Sequence, residues 1–236
     1  MYPRAFHYHR AGSLQEAVAM LSEFGDEAKL LAGGQSLIPL MKLRFANPSY
    51  LLDLNFISGT SYIHEENGTL RFGALTRHSE IEASPVAAKI PIIHDCAAGI
   101  AEAQVRNRGT IGGSLAEADP SGDWATVLMT LQTEVRCQNA KVDRRVPLAD
   151  FIRDAYTTVL AHDELVSEVV VKIPSKGSGV PTLHSSAPRR CIRRPARPCN
   201  SPWTGKSART RRLRWVVSAS RQSRPKMPKP RCAGSG

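Results

Sequence analysis

The chain of 236 residues lacks any long apolar run, and aromatic residues make up only 6% of it. The first lack excludes a hydropathy-defined membrane helix, which needs about 18 consecutive apolar residues. Where a secretory signal would carry its apolar core, the N-terminus has His7, His9 and Arg10, so a cytoplasmic protein is expected. Cysteine is scarce, 5 residues in all, and no Cys-x-x-Cys pair could seat zinc or an iron–sulfur cluster. His7, His9, His64, His78, His94 and His162 have no metal-ligand spacing, and no catalytic triad stands out, so structural or surface roles are expected for them.

A further lack divides the chain. Residues 181–236 contain no Asp or Glu, yet hold 15 of the 32 basic residues and 8 of the 16 prolines. Residues 1–180 carry 17 basic and 21 acidic residues, so the formal net charge of +11 belongs to the last quarter alone. Two physically different segments share one chain.

Residues 1–180 alternate helical and strand-like patterns. Ser13-Leu-Gln-Glu16 reads as a capping box opening a helix whose apolar positions are Leu14, Ala17, Val18 and Leu21, with Gly25 as the stop. Lys29 to Ala32 is a short strand that runs into Gly33-Gly34-Gln35-Ser36, after which Leu37 to Arg44 is predicted helical. Tyr50 to Asn55 is a second strand. Asn67-Gly68, between Tyr62–Glu66 and Thr69–Phe72, predicts a two-residue hairpin. Helices are expected over Thr76–Ala83, Pro91–Arg106, Trp124–Leu131 and Leu148–Ile152, and strands over Glu134–Gln138 and Leu165–Ile173. The mixture implies an α+β or α/β fold.

Two segments carry chemistry: Ala32-Gly-Gly-Gln-Ser36 and Thr110-Ile-Gly-Gly-Ser114. Each is a glycine pair closed by a small polar residue, which allows close backbone approach and presents amides to phosphate oxygens. Neither is a Walker loop or a Rossmann Gly-x-Gly-x-x-Gly, and a single such pair fits an ordinary turn equally well.

Taken with their surroundings, these loops resemble a known family. Ala32–Arg44, Gln104–Ser114, Ala118-Asp-Pro-Ser-Gly-Asp123 and Asp163-Glu-Leu165 match, in order and spacing, the FAD-binding medium subunit of molybdenum hydroxylases. That family includes the medium subunit of aerobic carbon monoxide dehydrogenase and the FAD domain of xanthine dehydrogenases, and the resemblance covers about residues 1–176. It implies an α+β, two-subdomain FAD-binding fold of the vanillyl-alcohol-oxidase/PCMH type over 1–176, followed in the family by a C-terminal α+β domain. The implied cofactor-binding residues are Ala32, Gly33, Gly34, Gln35, Ser36 and Leu37 in the first loop. In the second they are Thr110, Ile111, Gly112, Gly113 and Ser114. Both loops would hold the FAD pyrophosphate. Asp123 would accept from the adenosine ribose and Val166 would lie near the flavin ring.

The resemblance further implies an electron-transfer subunit, in which the cofactor does the chemistry and no residue need act as acid, base or nucleophile. Molybdenum cofactor and 2Fe-2S clusters would sit on a large and a small partner subunit. Arg106 and Arg108 are candidates for phosphate or partner contacts, or for a solvated helix end. A stand-alone flavin oxidase is the rival enzyme, but the chain is short of residues for a substrate domain.

The basic tail, 177–236, allows three readings: a nucleic-acid-binding arm acting through phosphate contacts, a disordered segment, or a change of reading frame near Gly179. Regrouping the codons of Pro198–Lys206 permits Val-Gln-Leu-Ala-Val-Asp-Gly-Lys, an alternating strand with a turn that resembles the family's C-terminal domain. The frame change is therefore preferred, so that no nucleic-acid partner is expected, and with it comes loss of the Gly-x-Tyr-x-Lys segment whose Tyr lies by the flavin in the family.

Overall fold

In the computed structural model, residues 2–175 are described. The basic tail and the expected change of frame lie outside the described residues.

The first sheet is built from β1 (His7–Arg10), β2 (Ala28–Leu31) and β3 (Tyr50–Asp53), all parallel, in the order β1-β3-β2. Parallel neighbours need crossovers, and α1 (Leu14–Phe24) and the short α2 (Leu37–Lys42) supply helical segments for them. The Ala17, Val18 and Leu21 stripe of α1 is buried with Leu52 of the central strand. Ser13 caps α1 by accepting from the Glu16 amide at 3.1 Å, as predicted. The return bond of the box is displaced: Glu16 Oε2 accepts from the Gly12 amide at 2.7 Å, one residue before the cap.

The second sheet is antiparallel, in the order β4-β5-β10-β6-β7. It joins β4 (Ile63–Glu66), β5 (Thr69–Gly73), β6 (Thr133–Gln138), β7 (Asp143–Pro147) and β10 (Leu165–Lys172), with a small separate ribbon of β8 (Ile152–Asp154) and β9 (Thr157–Thr158). The predicted hairpin joins β4 to β5: Asn67 and Gly68 have φ of 49° and 72°, the paired left-handed conformation that an Asn-Gly turn favours. The Val-rich β10 is central and almost wholly buried, which explains its continuous rather than alternating apolar pattern. Helices α3 (His78–Ala83), α4 (Pro91–Gly99), α5 (Ala103–Arg106), α6 (Ile111–Glu117), α7 (Asp123–Met129) and α8 (Leu148–Phe151) complete this lobe. Its core packs Phe72, Ile81, Ile93, Ile111, Leu115, Trp124, Leu128 and Val169 together.

The helix expected over Pro91–Arg106 is two helices. It stops at Gly99, Ala101 takes a left-handed φ of 40°, and the chain restarts at Ala103. Arg106 explains the break: its guanidinium donates to the carbonyls of Ile100 and Ala101 at 3.2 and 3.1 Å and pairs with Glu82 at 2.8 Å. That buried guanidinium holds the corner together rather than capping a solvated helix end.

The two lobes share residues. Leu75, just after β5, and Leu165, at the start of β10, belong to the apolar cluster of the first lobe. The Asp163-Glu164 motif is explained by packing: Glu164, 7% exposed, accepts from Arg144 Nε and Nη2 at 2.8 and 2.7 Å, while Asp163 accepts from Asn139.

Candidate functional site

The first glycine loop leaves β2 at Leu31 and enters α2 through Gly34, whose φ of +71° is cheap only for glycine. Ile38 and Leu40 donate back to the carbonyls of Gly34 and Ser36, both at 3.1 Å. The amides of Gly33, Gly34, Gln35 and Ser36 find no partner among the described residues. Backbone donors left open in this way call for water or a ligand.

The second loop differs. Ile111 donates to Thr76 at 3.1 Å, Gly112 to Ala74 at 3.0 Å, Gly113 to the Thr110 hydroxyl at 3.1 Å and Ser114 to the Thr110 carbonyl at 3.0 Å. Its amides from 111 to 114 are therefore bound within the protein. The Thr110 amide and the Ser114 hydroxyl have no hydrogen-bond partner among the described residues. Beneath the loop lies His78, whose amide donates to the Gly109 carbonyl at 3.1 Å. Its Nδ1 accepts from the indole of Trp124, also at 3.1 Å, which leaves the proton of the neutral ring on Nε2. Burial, aided by Arg77 and Arg106, depresses the imidazole to about 4, so it is neutral at physiological pH.

The loops meet. A Cβ on Gly33 would stand 2.2 Å from the Arg108 carbonyl oxygen and 2.8 Å from Gly109 Cα, so nothing larger than glycine fits at this crossing. A Cβ on Gly112 would stand 2.7 Å from Ala74, and one on Gly113 2.7 Å from the capping Thr110 hydroxyl. Sequence reasoning assigned these glycines to close approach of a ligand; the structure shows that each also has a close protein neighbour where a Cβ would stand.

Asp123 is the exposed first residue of α7. The preceding Gly122 lies beside the second loop, where an added Cβ would sit 3.9 Å from Ser114 Oγ. Val166 sits on β10 opposite Cys137, packed against the core of the second lobe. That core includes Ile111 of the second loop, and backbone bonds also link the two segments: Ser167 accepts from Ala74, and Ala74 accepts from Gly112. Cys96 and Cys137 are free and buried, and burial raises both thiols, Cys137 to about 11. Among the described residues no cluster of His, Cys, Asp or Glu could hold a metal, and no helix is long and apolar enough to cross a membrane.

Sequence reasoning missed the residues that join the loops, Asn55 and Arg77. Asn55 donates from Nδ2 to the Ala32 carbonyl at 2.9 Å, and Arg77 donates to both Asn55 Oδ1 and the Arg108 carbonyl. Burial, and the nearby Arg108, lower the affinity of the Arg77 guanidinium for its proton. Neither Arg77 nor Arg108 forms an ion pair among the described residues. No local rule marks these side chains, because their partners lie 22 to 31 residues away. A run of open amides beside the crossing held by Arg77 and Arg108 fits the anionic diphosphate of a dinucleotide.

Comparison with known proteins agrees. Residues 4–176 match the family model for the FAD binding domain in molybdopterin dehydrogenase. The chain is 40% identical over 180 residues to the 6-hydroxypseudooxynicotine dehydrogenase complex subunit alpha of Paenarthrobacter nicotinovorans, covering 76% of this chain and 61% of that protein. It is also 40% identical over 180 residues to the carbon monoxide dehydrogenase medium chain of Hydrogenophaga pseudoflava, covering 76% and 63%. The fold superposes on a solved carbon monoxide dehydrogenase from that organism, one lacking the Mo-pyranopterin moiety of its molybdenum cofactor, with a TM-score of 0.73. The two share 40% identity, over 75% of this chain and 62% of that one. The chain thus spans somewhat less than two-thirds of these relatives' length.

Proposed function

This chain belongs to the family of FAD-binding domains found in molybdopterin dehydrogenases, and from that premise we propose that it serves as the FAD-carrying electron-transfer subunit of a molybdenum-containing dehydrogenase. Its partners in this reading are an iron–sulfur small subunit and a molybdenum-bearing large subunit, which would hold the 2Fe-2S clusters and the molybdenum cofactor. A cytoplasmic location accords with the two unpaired buried thiols. When bound, FAD supplies the relay between a partner's clusters and an external acceptor.

The open amides of Gly33 to Ser36 carry the proposal. They donate to the diphosphate, with Ala32 and Leu37 bounding the loop. On the opposite side the Thr110 amide and Ser114 hydroxyl are the second loop's remaining donors, and Ile111, Gly112 and Gly113 hold that loop against Ala74 and Thr76. Asp123, exposed at the start of α7 just after Gly122, which lies beside Ser114, accepts from the ribose hydroxyls. Val166 gives an apolar wall toward the flavin side. Substrate choice belongs to the large subunit in this scheme.

The test is a flavin titration of the folded chain, with visible absorbance followed through gel filtration and acid release. Stoichiometric, acid-releasable FAD is expected. A chain folded by circular dichroism that takes up no flavin would contradict the proposal.

A further inference from the structure

The Arg108 carbonyl oxygen is the point at which the second glycine loop touches the first, 2.2 Å from where a Cβ on Gly33 would stand. That same oxygen accepts from Arg77 Nη1. The other arm of the guanidinium, Nη2, donates to Asn55 Oδ1, and Asn55 Nδ2 donates to the Ala32 carbonyl at the mouth of the first loop. One continuous path of hydrogen bonds thus runs from loop to loop across the two lobes: Ala32, Asn55, Arg77, Arg108. Only this orientation of the Asn55 amide satisfies both neighbours, since Ala32 presents an acceptor and Arg77 only donors.

The path is anchored at its first-lobe end. Asp53 Oδ1 accepts from the Asn55 amide at 2.8 Å and from Nδ2 at 2.5 Å, while Asp53 Oδ2 accepts from the Tyr8 hydroxyl at 2.6 Å. Burial alone would raise the Asp53 carboxyl, but these hydrogen bonds, helped by Arg10, bring it below its usual range and keep it ionised. At the second-lobe end, Glu80 Oε2 accepts from the Arg77 amide at 2.8 Å, which fixes the start of α3 beneath the guanidinium.

We propose that Asn55 and Arg77 form a strap that sets the spacing of the two glycine loops and so positions them for the diphosphate of FAD. Both are positioning residues, acting through the loops, and the inference rests on the FAD reading above. The strap depends on the planar fork of arginine, because two acceptors on different lobes must be met at once; lysine carries the same charge without that geometry.

The experiment measures the FAD dissociation constant and the flavin-free thermal midpoint for the full chain and for R77Q, R77K, N55A and R77Q/N55A. Each single variant is expected to weaken FAD binding about tenfold, as for loss of one hydrogen bond to a charged group. R77K should lose as much as R77Q. Because the two residues are links in series, the double variant should also lose about tenfold and not about a hundredfold. The flavin-free midpoints should stay close to that of the unmodified chain. Wild-type affinity in R77K, multiplicative losses in the double variant, unchanged FAD affinity, or losses that merely track a fall in the midpoint would each overturn the strap. Failure of the unmodified chain to bind FAD would instead overturn the functional reading on which it rests.

Discussion

In the first glycine loop the amides of Gly33 to Ser36 point to no partner among the described residues, whereas in the second every amide from Ile111 to Ser114 is held by Ala74, Thr76 or Thr110. The two loops look like copies in sequence, Gly-Gly-Gln-Ser against Gly-Gly-Ser, yet one keeps its amides open, the receptor of the proposed function, and the other is bound within the protein as a buttress. The first ends a parallel strand and keeps its donors open. The second is stitched to the segment after β5 and backed by His78 and Trp124, so it gives the first a fixed surface to rest on. A glycine pair therefore reports tight backbone packing before it reports a ligand.

The largest effect should come from destroying the crossing. Gly33→Val places side-chain atoms inside the Arg108 carbonyl, and no flexible side chain is there to yield. A loss of about 3 kcal/mol or more in denaturant unfolding, and of all FAD uptake, is expected. Gly34→Ala should cost only about 1 kcal/mol, for its left-handed φ, because the atom that an added Cβ meets is the movable tip of Ile38. Equal costs at the two positions would break the account of the crossing.

The buttress should show itself in pH dependence. His78 binds its proton near 4 in the folded chain against an ordinary value of 6.5, so the unfolded chain takes up the proton first as pH falls. The stability held by the neutral ring is present above about pH 6.5 and is lost on the way down to about 4, a drop of about 3 kcal/mol. Chemical denaturation across that window should trace the slope, and His78→Gln should flatten it.

Smaller still is the difference between the helix starts. Thr110 accepts from the Gly113 amide, whereas Ser36 makes no side-chain cap bond. Thr110→Val should cost about 1 kcal/mol in thermal unfolding, and Ser36→Ala less than about 0.5. Smallest of all, His64→Ala, on an exposed hairpin strand where the ring stacks on Tyr62, should leave FAD affinity unchanged in a flavin titration.

Much of this was legible from short-range pattern. The Ser13 cap, the Asn67-Gly68 turn, the Val-rich β10 and the position of both loops each rest on residues a few places apart, where local chemistry decides the structure. What was hidden depends on distance. The corner at Ala101 is made by Arg106 reaching back and across to Glu82, which helical periodicity cannot register. Strands β1 and β7 carry too many polar and charged residues to stand out from loops, and the sheets recruit them as edges. At the site, the glycines were visible but their reason was not, because Arg108, Ala74 and Asn55 come to them only through the tertiary fold.

The contrast between receptor and buttress is tested most directly by amide hydrogen exchange, resolved by residue, on the full chain with and without FAD. The amides of Gly33 to Ser36 should exchange quickly without flavin and slow sharply at saturation, while those of Ile111 to Ser114 should be protected in both states. Unchanged fast exchange in the first loop at saturating FAD, or protection gained equally by both loops, would contradict the account.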